Sequence, residues 1–178
     1  DSIALDKYYD GPAGSSRLDD RLYGLPLTSN NICLFYNKEK LADAGYDAPP
    51  TDWSELLEYA EALTTDDTYG LAISLPTPNT TAFQFLPYVW MAGSDIDSLD
   101  ASGTIQALEL IEALVENGWM SKEVLNWSQG DTANQFIQGR AAMYVEGPWR
   151  LSTLESDAEF DWGVAKLPEG PVTFSSVL

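Results

Sequence analysis

Histidine is absent from the 178 residues, cysteine occurs once, and Lys and Arg together number 9 against 28 Asp and Glu. Each shortage removes a class of chemistry. Without histidine there is no His-based catalytic triad, and the commonest metal ligand is missing as well. One cysteine cannot form an internal disulfide, and Cys33, inside an apolar run, is expected to be a small buried hydrophobe. The net charge of −19 argues against nucleic acid and against anionic membrane surfaces as partners. It suits a neutral or cationic ligand, and so acidic a surface with few Lys also fits a high-salt host, where salt screens self-repulsion. No segment approaches the ~20 apolar residues of a membrane-spanning helix. The chain opens Asp1-Ser2-Ile3 with neither an initiator Met nor a signal peptide, and reads as a processed or excised piece.

What is present is enough for one packed core: 44% of the residues are hydrophobic and 12% aromatic. Residues 1–20, with Gly11, Pro12 and Gly14, read as a loop or linker with a helical turn at Ile3 to Tyr8. The run Ile32-Cys33-Leu34-Phe35-Tyr36 reads as a strand buried on both faces. Thr28, Ser29, Asn30 and Asn31 precede it. Their hydroxyls and amides are what a site uses for a neutral, hydroxylated ligand, and equally what a loop uses to cap a strand.

Further on, Lys38 to Ala44 reads as a short helix stopped by Gly45. Asp52 is an N-cap with Glu55 completing a capping box, and Trp53, Leu56, Leu57, Ala60 and Leu63 recur at helical spacing. Tyr69 to Ile73 is a short buried strand, Pro76 and Pro78 mark a loop, and Thr80 or Thr81 starts a helix through Phe83, Val89 and Trp90. The run Asp95 to Asp100 fails the spacing of a calcium loop and reads as a solvated acidic turn. Ser102 caps a helix with Ile105, Leu108, Ile111 and Val115 on one face, and Asp131 caps another holding Phe136 and Ile137. Ala141 to Val145 and Phe160 to Ala165 are strands, with a helix entered at Pro148 between them, and Val172 to Leu178 looks like a strand cut short. Alternating strands and helices predict an α/β layer structure with a largely parallel or mixed sheet.

Two strand ends carry the chemistry. One is the polar entry at 28–31; the other is Glu146-Gly147-Pro148-Trp149. Gly147 permits close approach of a ligand, and Trp149 on the first turn of a helix offers a broad apolar face. A sugar ring uses both kinds of group, although an isolated Trp is more often core packing. Glu146 could accept sugar hydroxyls or cap the following helix.

Several phrases, in order, are similar to those of the extracellular solute-binding proteins of ABC-type importers, in the maltose-binding-protein-like sugar-receptor group. They are Tyr23-Gly24-Leu25-Pro26, Leu34-Phe35-Tyr36-Asn37-Lys38, Pro49-Pro50-Thr51-Asp52-Trp53-Ser54-Glu55-Leu56, Phe136-Ile137-Gln138-Gly139-Arg140-Ala141-Ala142-Met143, Gly147-Pro148-Trp149 and Val164-Ala165-Lys166-Leu167-Pro168. The resemblance spans about residues 18–172. It implies an α/β lobe of a two-lobed periplasmic-binding-protein-like (type II) fold, a mixed sheet flanked by helices. Residues 1–24 would be a linker or edge segment, 25–31 a crossing between lobes, 32–171 the lobe body and 172–178 the start of the return crossing. Most of the other lobe and the C-terminal helices would be absent.

The resemblance also implies roles. Asn30 matches a ligand-contacting position that carries a carboxylate in maltose-binding members, Phe83 an aromatic near the sugar, and Trp149 the main stacking aromatic. Trp90 and Trp127 are further candidates, each equally readable as packing or rim. The implied function is non-catalytic binding of an extracellular sugar, delivered to importer permease subunits, with no cofactor or metal. The implied location is extracellular, on a lipoprotein anchor or in a periplasm, and an isolated lobe is expected to self-associate. Rival expectations are a carbohydrate-active enzyme, which needs two carboxylates across the scissile bond, and the same fold taking a polyamine or a phosphate ester.

Overall fold

A computed structural model describes residues 7–172 and separates them into two compact units, 7–31 and 32–172. The strand read at the end of the chain, beyond Val172, and most of the turn at Ile3 to Tyr8 lie outside the described residues. Residues 7–31 are more structured than a linker. They hold a short helix α1 (Asp10–Ser15) and a ribbon of β1 (Arg17–Leu18) paired antiparallel with β2 (Arg21–Leu22). Asp19 and Asp20 make the two-residue turn, both at positive φ (47° and 59°). That conformation matches the twist of a tight hairpin, and Asp tolerates it better than most side chains.

The second unit is built on a four-stranded mixed sheet in the order β4 (Tyr69–Ala72), β5 (Ala141–Glu146), β3 (Cys33–Asn37), β6 (Trp162–Ala165). β4 runs parallel to β5, while β3 is antiparallel to both of its neighbours. β3 is thus an interior strand, and successive residues point into different cores. Leu34 enters one with Leu71, Val145, Leu41 of α2 (Lys38–Asp43) and residues of α3 (Trp53–Leu63), α4 (Pro78–Met91) and α5 (Ser102–Glu116). Phe35 enters the other with Tyr144, Phe136 of α6 (Gln129–Ile137) and Leu154 of α7 (Leu151–Asp157). In this second core the Tyr144 ring lies 4.9 Å from Phe35 and 4.6 Å from Phe136, centroid to centroid. Such pairs add roughly 1 kcal/mol each beyond their buried area. Burial of β3 is complete at Leu34 and Phe35, whereas Cys33 and Tyr36 are only half-buried.

Several element starts differ from the sequence reading. α4 begins at Pro78, with Thr77 as its N-cap, because a first-turn proline loses no helical hydrogen bond. Asp52 does cap α3, but Glu55 turns to the backbone amide and hydroxyl of Thr51 (both 2.7 Å) instead of closing a capping box. α6 is capped by Ser128, with Asp131 the reciprocal partner three residues on. Ala101, not Ser102, occupies the N-cap of α5. The buried face of α5 is also turned from the expected one: Thr104, Ala107, Leu110 and Leu114 are buried and Ile111 and Val115 pack half-buried against the first core, while Ile105 and Leu108 stand about half exposed. The smaller stripe wins because α4 approaches closely there; a Cβ at Gly103 would collide with the Ala92 carbonyl. Asp95 to Asp100 forms a single 3-10 turn (Ile96–Ser98) capped by Asp95, and no cluster of metal-ligating side chains exists among the described residues.

Candidate ligand-binding site

The site lies where β5 ends. Glu146, the last residue of the strand, has no exposed surface. Gly147 leads into a 3-10 turn at Pro148–Arg150, and α7 follows directly. Trp149 folds back across Gly147, so closely that a Cβ at position 147 would run into its six-membered ring. Phe83, on the first half of α4, stands 5.9 Å away at 45°. Trp149 remains 36% exposed. Pro87 lies inside α4 and has no N–H, so it leaves the Phe83 carbonyl without its helical donor. Gln84, next on the helix, is fully buried, and neither atom of its amide has a hydrogen-bond partner.

Beneath the turn sits a charged pair. The Gly147 N–H donates to Glu146 Oε1 (3.2 Å), and Arg150 Nε stands 3.8 Å from Glu146 Oε2. That second distance suits an ion pair but not a hydrogen bond, so Oε2 and Nε are both buried without one. The Tyr144 hydroxyl is likewise buried without a partner. Burial pushes the Glu146 carboxyl up to about 7, although the Arg150 charge, the Gly147 amide, and the Trp149 and Arg150 side chains hold it down in part. Cys33 pairs with Glu146 across β3 and β5, and its thiol donates to the Glu146 carbonyl (3.4 Å).

Four of the residues expected from the sequence therefore come together: Phe83, Glu146, Gly147 and Trp149. Trp90 lies seven residues beyond Phe83, about 10 Å along the helix, and its indole donates to Asp95 Oδ1 (3.0 Å). Trp127 is half-buried against the first core, where its carbonyl accepts from Ser74 Oγ (2.9 Å). Asn30 and Asn31 belong to the first unit and are exposed. Sequence reasoning missed the pairing of Glu146 with Arg150, which joins the last residue of a strand to the last residue of a 3-10 turn and not two residues of one helix face.

This mixed sheet flanked by helices, with its site at a strand end, is a periplasmic-binding-protein-like fold. The sequence model of the bacterial extracellular solute-binding protein family matches residues 1–177, and the chain belongs to that family. A binding protein of Brucella abortus is 27% identical over 165 residues, covering 88% of this chain and 40% of its own length. A maltodextrin-binding protein of Bacillus subtilis is 27% identical over 173 residues, covering 86% of this chain and 39% of its own length. Among solved structures, the GacH receptor of Streptomyces glaucescens, determined unliganded and with acarbose, superposes with a TM-score of 0.79 at 27% identity, over 95% of this chain and 45% of that one. The chain thus spans about two-fifths of the length of the curated relatives it matches.

Proposed function

We propose that this chain contributes the aromatic wall of a sugar-binding cleft in a non-catalytic receptor, which hands an extracellular sugar or oligosaccharide to the permease subunits of an ABC-type importer. The carrying observation is Trp149: a large ring seated on Gly147, beside Phe83, with part of its surface open. An indole in that setting offers a flat apolar surface to the C–H face of a pyranose. Thr28 to Asn31, in a segment read as a crossing between lobes at 25–31, would contribute hydroxyl and amide partners. The maltodextrin-binding relative and the acarbose-binding neighbour support a sugar as ligand. Family membership supports an extracellular place of work, periplasmic or tethered at the cell surface.

Carboxylate catalysis has less support, because Glu146 is fully buried and faces Arg150 instead of a second carboxylate. The test is a thermal-shift and calorimetric screen of the intact receptor against a panel of mono- and oligosaccharides, repeated with Trp149→Ala and Asn30→Ala. A sugar that stabilises the parent, and does so far more weakly in both variants, is expected. Binding unchanged by Trp149→Ala would overturn the reading.

A further inference from the structure

Glu146 has no exposed surface, so it does not touch a ligand in this conformation, yet it lies at the base of the turn that presents Trp149. We propose that Glu146 is a positioning residue for the indole: its carboxylate and Arg150 form a buried clamp under the 147–150 turn that fixes the tilt of Trp149, and uptake of a proton by the clamp loosens it. This rests on the reading of Trp149 as the sugar platform.

Three geometric facts carry the inference. Oε1 is tied to the Gly147 amide, which anchors the carboxylate to the residue on which the ring lies. Oε2 faces Arg150 at 3.8 Å, and Arg150 is the last residue of the turn whose middle residue is Trp149. Oε2, Arg150 Nε and the Tyr144 hydroxyl are all buried with no hydrogen bond. The contact between Oε2 and Arg150 is therefore held by charge and not by a hydrogen bond, and charge is what a proton removes.

The groups facing this carboxyl set the pH of the change. Burial raises its pKa to about 7, and Arg150 is the largest influence in the opposite direction. The Tyr144 phenol and the Cys33 thiol of β3 lie in the same field; both are pushed up by burial first and by Glu146 second, and neither ionises near neutrality. From α6, Asp131 is engaged by the amide and hydroxyl of Ser128 (2.9 and 2.7 Å). Glu146 is thus the group of this cluster that changes charge between weakly acidic and weakly alkaline solution. Above that point the ionised pair holds the turn; below it, Arg150 loses its partner and the ring gains freedom.

The test needs no ligand. The emission of Trp149, taken as the difference between the chain and its Trp149→Phe variant, is quenched with acrylamide from about pH 5.5 to about pH 8.5, a range spanning the titration. Quenching is expected to fall about twofold as pH rises through neutrality, on the scale of a ring changing from mobile to held. Glu146→Gln and Arg150→Met should each abolish this dependence, leaving the ring as open to quencher at high pH as the parent is at low pH. Should Glu146→Gln fail to fold, Arg150→Met decides the matter. A Trp149 signal that ignores pH in the parent, or one that titrates unchanged in either variant, overturns the proposal. Failure of Trp149→Ala to weaken sugar binding would instead sink the platform reading and leave the quenching result intact.

Discussion

Trp149 lies across Gly147, so the broadest side chain at the end of β5 rests on the residue that has none. This contact makes the position of the ring depend on the absence of a Cβ. Gly147→Ala should displace the indole and weaken ligand binding about as much as Trp149→Ala, a loss on the order of 2 kcal/mol for an aromatic anchor. Because Trp149 is 36% exposed, Trp149→Ala should cost folding less than the roughly 3–5 kcal/mol of a fully buried aromatic. Parallel calorimetry and urea titration of the intact receptor separate the two quantities. A folding loss as large as the binding loss would make the ring a core residue.

Cys33 should react slowly with thiol reagents in the folded state. Its side chain is half-buried, and burial, followed by the Glu146 charge, raises the thiol to about 11, so thiolate is scarce at neutral pH. Labelling with a maleimide at about pH 7 should run at least tenfold slower than in urea, since each pKa unit is a factor of ten in thiolate. Equal rates would mean that β3 does not hold its pairing with β5.

How much of this was legible in the sequence follows from what each element buries. β3 and β5 announce themselves as apolar runs because each lies inside the sheet and has a core on both faces. Asp52 before Trp53 gave α3 its start, since a cap is a local device. α5 was different. Its apolar residues cover most of its circumference, and only the close approach of α4 at Gly103 selects the stripe that is buried. The hairpin at 17–22 lacked the Gly that usually marks such a turn. At the site, Glu146, Gly147 and Trp149 could be read as neighbours in sequence. That Glu146 is buried and paired with Arg150 depends on β3 and α6 packing beside β5, and no local pattern carries that.

The exposed stripe of α5 predicts weak self-association of this chain. Ile105 and Leu108 stand 50% and 53% exposed, and Leu108, Ile111, Val115 and Leu125 line an apolar groove of about 460 Å³. A net charge of −19 opposes contact between copies, so association should strengthen with salt as repulsion is screened. Sedimentation velocity at low and high salt should show this, and Ile105→Glu with Leu108→Glu should hold the chain monomeric at both. Both sites are exposed, so stability should change by no more than about 0.5 kcal/mol. A parent that is strictly monomeric in high salt would refute the prediction.

Glu146 should make folding stability depend on pH with a sign opposite to that of a salt-bridged carboxylate. Its folded value, about 7, lies above the ordinary 4.5, so the folded state favours the protonated form. The stabilisation is complete below about pH 4.5, declines as pH rises, and is gone above about pH 7, where the fold must carry a buried negative charge that Arg150 offsets in part. Glu146→Gln removes the titration while keeping the shape. The variant should match the parent near pH 4.5 and exceed it at pH 8, by up to about 3 kcal/mol, the free-energy equivalent of the shift. Urea midpoints of both proteins across this range give the answer, and taking the difference between them cancels the other 27 acidic groups, from the 28 present less Glu146. A gap that does not vary with pH would show that Glu146 is ionised in both states and that Arg150 outweighs its burial.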